Sequence, residues 1–332
     1  MIDNSTILLT GGTGTFGQAF TQIVLNKHKV KKLIIFSRDE FKQYEMAKKF
    51  PEDKYPIRYF IGDIRDGERL SRAFSEVDYV IHAAAMKHVP ACEYNPFEAV
   101  KTNILGAQNI VEAALDNNVK KVIILSTDKA VSPVNLYGAT KLSMEKIFIA
   151  SGALAGKKNT IFSLVRYGNV LGSRGSVLPL FLSIKRGGGK EYPVTDDRMT
   201  RFWITIEEGV DLVLHALQNG RGGEIFIPKI PSMKMTDLVS SIDRNAKIKI
   251  VGIRPGEKLH ETLVSEDEAR HSIDIGKYYV ILSEFVFKDG LNDNYKDFKK
   301  LPAGFTYRSD NNGEWLNVEQ LETIIKEKFG DM

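Results

Sequence analysis

Two short stretches of the chain carry residue types that together can move a proton and a hydride. The first is Ser126-Thr127-Asp128-Lys129, and the second, eight residues later, is Tyr137-Gly138-Ala139-Thr140-Lys141. Residues four apart on a helix share one face, so Tyr137 and Lys141 can reach the same ligand. The pKa of a free phenol is about 10, and a neighbouring ammonium group stabilises the phenolate and lowers that value. The pair could therefore take the proton of an alcohol while its carbon gives up hydride.

An apolar run, Val122–Leu125, directly precedes this chemistry, and a long helical stretch over 97–117 comes before it. The run is typical of a buried parallel strand. Open α/β sheets bind ligands at the carboxyl ends of such strands, and Thr127, Asp128 and Lys129 follow directly. Tyr-x-x-x-Lys alone is a weak signal, because both residue types are common on solvated helix faces. The N-terminal sequence strengthens the catalytic interpretation.

A glycine-rich loop near the N-terminus predicts a dinucleotide site. The apolar strand Thr6–Thr10 is followed by glycines with G-x-x-G-x-x-G spacing and then by a helical pattern. Glycines allow a tight turn and a close backbone approach to a pyrophosphate, which the helix dipole also favours. We expect the cofactor to contact this loop at Gly11, Thr13, Gly14, Thr15, Phe16 and Gly17.

The end of the second strand, Lys32–Phe36, bears on the choice between NAD and NADP. An NAD enzyme holds the ribose 2′-hydroxyl here with a carboxylate, whereas arginine accommodates a 2′-phosphate. Ser37 and Arg38 occupy the strand tip and Lys42 lies one helical turn later, so the charge pattern favours NADP. Asp39 keeps NAD open, although capping of the following helix also explains this residue.

The third and fourth strands supply further candidate cofactor contacts. The third strand ends in Asp63 and Ile64; Asp63 could accept the adenine amino group, or it could cap the helix that begins near Asp66. The fourth strand, Val77–His82, ends in Ala83-Ala84-Ala85, whose small side chains let a cofactor lie close to the strand. We therefore expect cofactor contacts at Asp63, Ile64 and Ala84.

The order of strands and helices predicts an α/β fold with a doubly wound parallel sheet of the Rossmann type. We expect residues 1–170 to form an NADP-binding domain, with a segment at 199–228 that returns to its sheet. Residues 171–332, mainly 171–198 and 229–332, should form a smaller C-terminal α/β cap that binds the substrate.

Composition excludes several classes of protein. A chain of 332 residues with 43% hydrophobic residues can bury a substantial core. The net charge of +4 is too mild for a nucleic-acid partner but suits an anionic nucleotide. Cys92 is the single cysteine, which excludes an internal disulfide and offers no metal cluster. The chain has no signal-like N-terminus and no apolar run of roughly 18 residues, so we expect a cytoplasmic protein without a membrane anchor.

Several motifs together resemble a known family. The glycine-rich loop, Tyr-x-x-x-Lys, Ala83-Ala84-Ala85 and Arg166–Val170 resemble an extended short-chain dehydrogenase/reductase that acts on nucleotide sugars. Within that family, five stretches are similar to the inverting UDP-N-acetylglucosamine 4,6-dehydratases: 126–130, 135–141, 199–203, 231–235 and 252–261. The resemblance runs to about residue 265, and the motifs give no guidance beyond it.

The resemblance implies an NADP-dependent lyase that acts on UDP-N-acetylglucosamine. Tyr137 would take the C-4 hydroxyl proton as hydride leaves, Lys129 would remove the C-5 proton, and protonated Asp128 would assist loss of the C-6 hydroxyl as water. Thr127 and Lys141 complete the implied catalytic set. The product, UDP-2-acetamido-2,6-dideoxy-β-L-arabino-hex-4-ulose, would open pseudaminic acid biosynthesis for flagellin glycosylation. We also expect a homo-oligomer, whose size the sequence does not fix.

Lys129 decides the expected stereochemistry. Retaining relatives carry Thr-Asp-Glu where this chain has Thr-Asp-Lys, so the resemblance implies inversion at C-5. A lysine must be neutral to act as a base, so we expect the pKa of Lys129 to lie well below its ordinary value of about 10.4. Burial, Lys141 and an oxidised nicotinamide would all lower it.

The resemblance also assigns binding residues. Further cofactor contacts are implied at Lys87, Tyr137, Lys141 and Val170. Contacts with UDP or the sugar are implied at Ala83, Lys129, Asn169, Arg174, Thr195, Arg254 and Glu257. Arginine suits a diphosphate or the uridine hydroxyls because its planar fork forms charge-assisted hydrogen bonds. A surface ion pair between Arg254 and Glu257, around a Pro-Gly turn, is the structural alternative.

Three other functions stay open at this point. A nucleotide-sugar 4-epimerase would share Tyr137 and Lys141, but it needs no proton-transfer pair at Asp128 and Lys129. A retaining dehydratase would need a carboxylate in place of Lys129. A non-catalytic NADP-sensing module would be expected to have lost Tyr137 or Lys141, and both are present.

Overall fold

A computed structural model describes residues 2–154, 159–173, 175–283 and 295–330 of the chain. Its first half alternates strands with helices. The strands in this half are β1 (Thr6–Thr10), β2 (Lys32–Ser37), β3 (Ile57–Ile61), β4 (Tyr79–His82), β5 (Lys121–Thr127), β6 (Ile161–Tyr167) and β7 (Asn169–Val170). The α-helices are α1 (Thr15–Lys27), α2 (Glu40–Lys49), α3 (Gly67–Ala73), α4 (Val89–Tyr94), α5 (Pro96–Val100), α6 (Gly106–Asp116) and α7 (Leu136–Leu154).

The second half has shorter strands and a second group of helices. Its strands are β8 (Glu191–Val194), β9 (Thr200–Ile204), β10 (Ile225–Pro228), β11 (Ser232–Lys234), β12 (Lys247–Ile250), β13 (Thr262–Val264), β14 (Ser272–Asp274), β15 (Tyr278–Ile281), β16 (Lys299–Lys300) and β17 (Tyr307–Arg308). Its α-helices are α8 (Val177–Arg186), α9 (Ile206–Asn219), α10 (Met235–Ile242), α11 (Glu266–Ala269) and α12 (Val318–Phe329). None of the helices in the described ranges has the length and apolar character that crossing a bilayer requires.

One large sheet organises the described part of the chain. Its ten strands follow the order β16-β14-β15-β10-β6-β5-β4-β1-β2-β3. The strands from β10 to β3 in this order pair in parallel, and β1 is buried along its whole length. Near-continuous apolar strands are typical of a parallel sheet with both faces covered. The predicted α/β fold with a doubly wound parallel sheet is confirmed.

The helical stretch expected over 97–117 is confirmed, but a π-helical turn interrupts its regular α-helical geometry. α5 ends at Val100, a π-helical turn covers Lys101–Leu105, and α6 begins at Gly106. The π turn carries Asn103, which is 1% exposed and whose amide nitrogen donates to the Met86 carbonyl and to Thr140. Single π turns within helices are frequent at functional sites. Here the turn ties α6 to the loop after β4 and to α7.

The C-terminal region contributes to the large sheet as well as to a separate lobe. β15 pairs antiparallel with β10, and β14 and β16 extend the sheet beyond it, whereas the sequence analysis assigns this whole stretch to the cap. The added strands cover the edge that β10 would otherwise expose. β10, which lies in the predicted returning segment 199–228, pairs with β6. The functional division into a cofactor domain and a substrate domain stays a prediction.

A second hydrophobic core holds the smaller lobe together. Its buried side chains come from α8, β8, α10 and α12, and include Phe181, Tyr192, Leu238 and Leu321. β9 pairs with β7 and β11 in a separate three-stranded sheet. β9 therefore links the end of β6 to the smaller lobe, where the substrate region is expected.

Candidate active site

The predicted catalytic residues meet at the carboxyl end of β5. The side chain of Asp128 is completely buried in the 3₁₀ turn that follows the strand. Its Oδ1 accepts hydrogen bonds from Thr127 Oγ1 at 2.9 Å and from Lys129 Nζ at 3.0 Å. Its Oδ2 is buried and has no hydrogen-bond partner among the described residues. The parallel strand thus presents an acid and an amine in direct contact, as the sequence predicts.

Lys129 is held charged by two carboxylates. Its Nζ lies 3.0 Å from Asp128 Oδ1, 3.5 Å from Glu261 Oε1 and 3.4 Å from Asn169 Oδ1. Burial lowers the pKa of the Lys129 ammonium, but Asp128 and Glu261 outweigh burial and hold that pKa above its ordinary value. The expected depressed pKa of Lys129 is wrong for this structure, because the charge of Asp128, reinforced by that of Glu261, outweighs the effect of burial.

Glu261 is the site residue that the sequence analysis missed. It belongs to the stretch 252–261, which carries part of the family resemblance, but nothing in its local spacing assigns it a role. The residue is 2% exposed and directly precedes β13. Its backbone N–H donates to Ser309 Oγ at 3.0 Å, and its carbonyl accepts from the Ser309 N–H at 2.8 Å. The C-terminal region therefore delivers a carboxylate to the end of β5.

Tyr137 and Lys141 share one face of α7 but have different partners. Tyr137, 8% exposed, hydrogen-bonds Thr127; burial raises the pKa of its phenol to about 12, and Lys129 counteracts the rise. Lys141 Nζ donates to the Leu125 carbonyl at 2.7 Å, and burial lowers its pKa to about 8. The expected lowering of the phenol pKa is wrong here, because Lys141 is anchored to β5 and desolvation dominates at Tyr137.

The loop before β13 is joined to the catalytic turn. Lys258 Nζ donates to the Val131 carbonyl, and Asn135 Nδ2 donates to the Gly256 carbonyl at 2.7 Å. The same Asn135 accepts from the Gly138 N–H through Oδ1, also at 2.7 Å. These bonds fix the start of α7, and therefore Tyr137, against the C-terminal region.

The glycine-rich loop has the shape that a pyrophosphate requires. Gly11 has φ +67°, and a Cβ added there would come within 2.8 Å of the Ala84 backbone nitrogen. A Cβ at Gly17 would collide with the Gly12 backbone, so helix and strand approach closely there. Gly14 is the N-cap of α1, whose first residue is Thr15. The open, side-chain-free cradle at a helix N-terminus fits a dinucleotide.

The remaining loop residues connect the first two strands. Thr13 Oγ1 lies 3.0 Å from Ser37 Oγ, and both residues are buried. Phe16 stacks against Phe20 with ring centroids 5.8 Å apart. Thr13 and Ser37 therefore hold the tip of β2 against the loop, where the ribose of a dinucleotide would lie.

The basic residues after β2 are partly neutralised. Asp39 caps α2 by accepting from the Lys42 N–H at 2.9 Å, and its other oxygen pairs with Lys42 Nζ at 2.5 Å. Capping, the structural explanation of Asp39, is confirmed. The side chain of Arg38 is 62% exposed, with Nη1 3.7 Å from Asp63 Oδ2. Arg38 is thus the basic side chain best placed to meet a phosphate.

Asp63 and Ile64 also have structural partners. Asp63 accepts from Arg65 Nε at 3.0 Å, whereas Asp66 caps α3. Ile64 is 4% exposed and its carbonyl accepts from Asn109 Nδ2 at 3.0 Å. The capping role considered for Asp63 therefore belongs to Asp66, and any cofactor contact of Ile64 must come from its backbone.

Two alanines adjoin the glycine-rich loop at Gly11, and two further predicted contacts lie later in the chain. Ala83 and Ala84 are half-buried, and the Ala84 N–H donates to Thr10 Oγ1 at 3.2 Å. Lys87 is exposed in the loop after β4, and Val170 lies in β7 opposite Ile204. All four positions are compatible with the cofactor and substrate contacts implied by the resemblance.

The predicted substrate contacts are less tightly grouped. Thr195 Oγ1 contacts Met199 Sδ at 3.1 Å, and Arg254 is exposed. Glu257 accepts from the Arg254 N–H at 3.3 Å, while its Oε1 lies 3.6 Å from Arg201 Nη2. Arg201, rather than the Arg254 side chain, is therefore the ion-pair partner of Glu257. Arg174 lies outside the described residues.

These features define a class of protein. A dinucleotide cradle at the end of β1 and a buried Tyr-Thr-Asp-Lys centre at the end of β5 are the two functional parts of an extended short-chain dehydrogenase/reductase. The polysaccharide biosynthesis protein family matches residues 7–283, and the chain belongs to this family. The family resemblance stated from the sequence is confirmed.

Individual relatives cover the whole chain. A Campylobacter jejuni protein named UDP-N-acetylglucosamine 4,6-dehydratase (inverting) is 52% identical over 335 residues, covering 99% of this chain and 100% of the relative. A Rickettsia akari protein named UDP-glucose 4-epimerase is 41% identical over 338 residues, covering 98% and 96%. The X-ray structure of Pen from Bacillus thuringiensis superposes with a TM-score of 0.90 at 40% identity, covering 99% of each chain.

Proposed function

We propose that this protein is an inverting UDP-N-acetylglucosamine 4,6-dehydratase that uses a nicotinamide cofactor. The observation that carries the proposal is the 3.0 Å contact of the half-buried Lys129 with the fully buried Asp128, beside Tyr137. An amine, a carboxyl group and a phenol at this site can carry out three of the proton transfers of dehydration with inversion; the fourth returns a solvent-derived proton to C-5 on the opposite face as hydride adds to C-6. The name of the Campylobacter jejuni relative supports the same reaction.

The chain's own residues divide the work of binding. Gly11, Gly14 and Gly17 would cradle the pyrophosphate, Arg38 would meet a ribose 2′-phosphate, and Lys141 would bind the nicotinamide ribose. A bound nicotinamide would supply the hydride acceptor for sugar C-4 and the hydride donor for C-6. A bound oxidised nicotinamide, being positively charged, would lower the phenol pKa of Tyr137. The phenolate would then take the C-4 hydroxyl proton, oriented by its hydrogen bond to Thr127.

Lys129 and Asp128 share one proton across their 3.0 Å contact. Its transfer from the ammonium group to the carboxylate yields a neutral amine and a carboxylic acid in one step. The amine takes the C-5 proton of the 4-keto sugar, and the acid protonates the C-6 hydroxyl as it leaves as water. Because coupled groups titrate as a pair, a charged resting pair is compatible with a neutral reactive pair.

The residues at the β2 tip and the family resemblance support the finer assignments. Ser37 and Arg38 support NADP over NAD, because an exposed arginine at the β2 tip accommodates a 2′-phosphate. The family resemblance supports a product with the L-arabino configuration and a place at the start of pseudaminic acid biosynthesis for flagellin. The cytoplasmic location and the homo-oligomeric assembly stay predictions.

A 4-epimerase is the second candidate, because the Rickettsia akari relative carries that name. An epimerase returns hydride to C-4 and leaves the C-5 hydrogen in place. The buried acid and amine at 128 and 129 would then have no proton to transfer. This mismatch favours the dehydratase.

The two candidates are separated by the product formed in deuterated water. Purified protein is incubated with UDP-N-acetylglucosamine and the product is read by NMR. We expect a 6-deoxy-4-keto sugar of L-arabino configuration with deuterium at C-5, without net consumption of NADPH. A D-configured product would indicate a retaining dehydratase, and a C-4 epimer without deuterium would indicate an epimerase. The absence of any turnover would overturn the proposed function.

A further inference from the structure

Glu261 is a buried carboxylate for which the mechanism above has no use. Its side chain is 3% exposed, and its Oε1 lies 3.5 Å from Lys129 Nζ. Its Oε2 is buried without a hydrogen-bond partner among the described residues. Removing a carboxylate from water costs several kcal/mol unless nearby charges compensate. The charges that face it should therefore account for its position.

Three cations surround this carboxylate. Arg201 Nε lies 3.8 Å from Glu261 Oε1, and the Arg201 guanidinium also donates to the carbonyls of Thr200 and Leu259. Lys258 is held by the Val131 carbonyl. Both of these cations are fixed by backbone acceptors. Lys129 is therefore the cation near Glu261 that also belongs to the proton-transfer pair.

The backbone fixes Glu261 independently of its charge. Its N–H and carbonyl both bind Ser309, and Ser309 Oγ lies 2.7 Å from Thr200 Oγ1. The carboxylate is thus presented to Lys129 by β9 and by the residues after β17. A group fixed in this way needs no reorganisation when a charge develops beside it.

We infer that Glu261 is a positioning residue for Lys129, which orients the amine and stabilises the ammonium group that forms during C-5 deprotonation. This inference rests on the proposed dehydratase function. In that step the C-5–H bond breaks, an N–H bond forms at Nζ, and the electron pair moves into the enolate of the 4-ketone. The carboxylate of a serine-protease triad acts in the same way, because it orients the imidazole and stabilises the imidazolium.

The test is the pH profile of C-5 deuterium exchange in Glu261→Gln, which keeps the size of the side chain and removes its charge. We expect the exchange rate to fall about 100-fold, while the first hydride transfer, read as reduced-cofactor absorbance, changes less than about twofold. The acidic limb reports the binding of a second proton by the Lys129–Asp128 pair, and its midpoint should move to lower pH by about one unit, because loss of a nearby negative charge disfavours protonation. Lys129→Ala gives the background rate.

Two further variants separate charge from structure. Glu261→Asp retains the carboxylate, so its midpoint should match the unmodified protein even where its rate is lower; it also replaces the glutamine variant should that one fail to fold. Glu266→Gln removes an exposed carboxylate at the start of α11 and should leave rate and midpoint unchanged. A shifted midpoint in Glu261→Asp, or an unshifted one in Glu261→Gln, would overturn the inference. A failure of the unmodified protein to exchange C-5 at all would instead overturn the proposed function.

Discussion

Two lysines, the half-buried Lys129 and the buried Lys141, lie near the end of the same strand and meet opposite surroundings. Lys129 faces the carboxylates of Asp128 and Glu261, and its pKa lies above the ordinary value. Lys141, 4% exposed, faces the Leu125 carbonyl, and burial lowers its pKa to about 8. Burial disfavours a charged amine, and an opposite charge within about 4–6 Å reverses that preference. Burial therefore lowers the pKa at Lys141, whereas the neighbouring carboxylates reverse that shift at Lys129.

The difference assigns distinct tasks to the two amines. The Lys129 ammonium group can pass its proton only to a neighbouring carboxylate. Lys129 can therefore act as a base once that transfer has occurred. Lys141 loses its proton within an ordinary pH range and is bound to the main chain of β5. We therefore expect Lys129 to take part in proton transfer and Lys141 to position Tyr137 and the cofactor.

The largest effect on activity should come from substitution of Tyr137, the phenol whose pKa Lys129 influences. Tyr137→Phe should slow the first hydride transfer by up to about 10,000-fold, because no group then takes the C-4 hydroxyl proton. Asp128→Asn should permit that transfer but slow water loss about 100-fold. Rapid-mixing absorbance should show reduced cofactor accumulating in the Asp128 variant alone. Tyr44→Phe, at an exposed tyrosine, is the control, and identical behaviour of the two site variants would show that the roles are misassigned.

The different pKa shifts of Lys129 and Lys141 should change the free energy of unfolding differently as pH rises. The folded-state pKa of Lys141, about 8, lies below its unfolded value of about 10.4, so the unfolded state binds more protons between these values. The unmodified protein should therefore gain about 3 kcal/mol of unfolding free energy relative to Lys141→Met as pH rises through this range. The difference in unfolding free energy between the unmodified protein and Lys129→Met should stay constant over this range. The raised pKa of Lys129 stabilises the folded state fully below about pH 10.4, and this stabilisation falls only above that pH.

Urea unfolding at three pH values, about 7.5, 9 and 10, measures both differences. The Lys141→Met comparison should change with pH and the Lys129→Met comparison should not. Parallel behaviour of the two variants would remove the distinction between the lysines. The offset at any single pH is not diagnostic, since each substitution also removes a hydrogen bond.

The smallest effect concerns an exposed cation, Arg38. Solvent and the Asp63 carboxylate, 3.7 Å away, screen its charge, so Arg38→Ala should narrow the preference for NADP over NAD by about tenfold, or 1.4 kcal/mol. Calorimetric titration with both dinucleotides measures this change. Arg58→Ala removes a similarly exposed arginine on β3 and serves as the control. Equal affinities in the unmodified protein would contradict the NADP assignment.

Local patterns predict the parts of the site that one segment builds. The apolar run of β5 places Thr127, Asp128 and Lys129 at a strand end, and the glycine spacing marks the turn before α1. Long-range partners leave no such pattern. Glu261 reaches Lys129 from a distant segment, so this second carboxylate, which adds to the effect of Asp128 on the Lys129 pKa, could not be inferred from neighbours in sequence.

Two architectural details were missed for a similar reason. The π turn at Lys101–Leu105 reflects the tertiary hydrogen bonds of Asn103, which no helix propensity encodes. The antiparallel strands β14 and β15 span only three and four residues, so their alternation is too short to assign them to the large sheet. In both cases, contacts with distant segments decided the local structure.

The hydrogen bonds between the loop before β13 and the catalytic turn have a consequence for the order in which the chain folds during synthesis. They join residues 121 and 127 positions apart in the chain, and contacts of such separation form late because a long loop must close first. During synthesis, the strands up to β10 can therefore assemble, and the dinucleotide cradle with them, while Glu261 is still to be translated. We expect a nascent chain to bind its cofactor before its catalytic site is complete, so that only a completed molecule can remove a proton from the sugar.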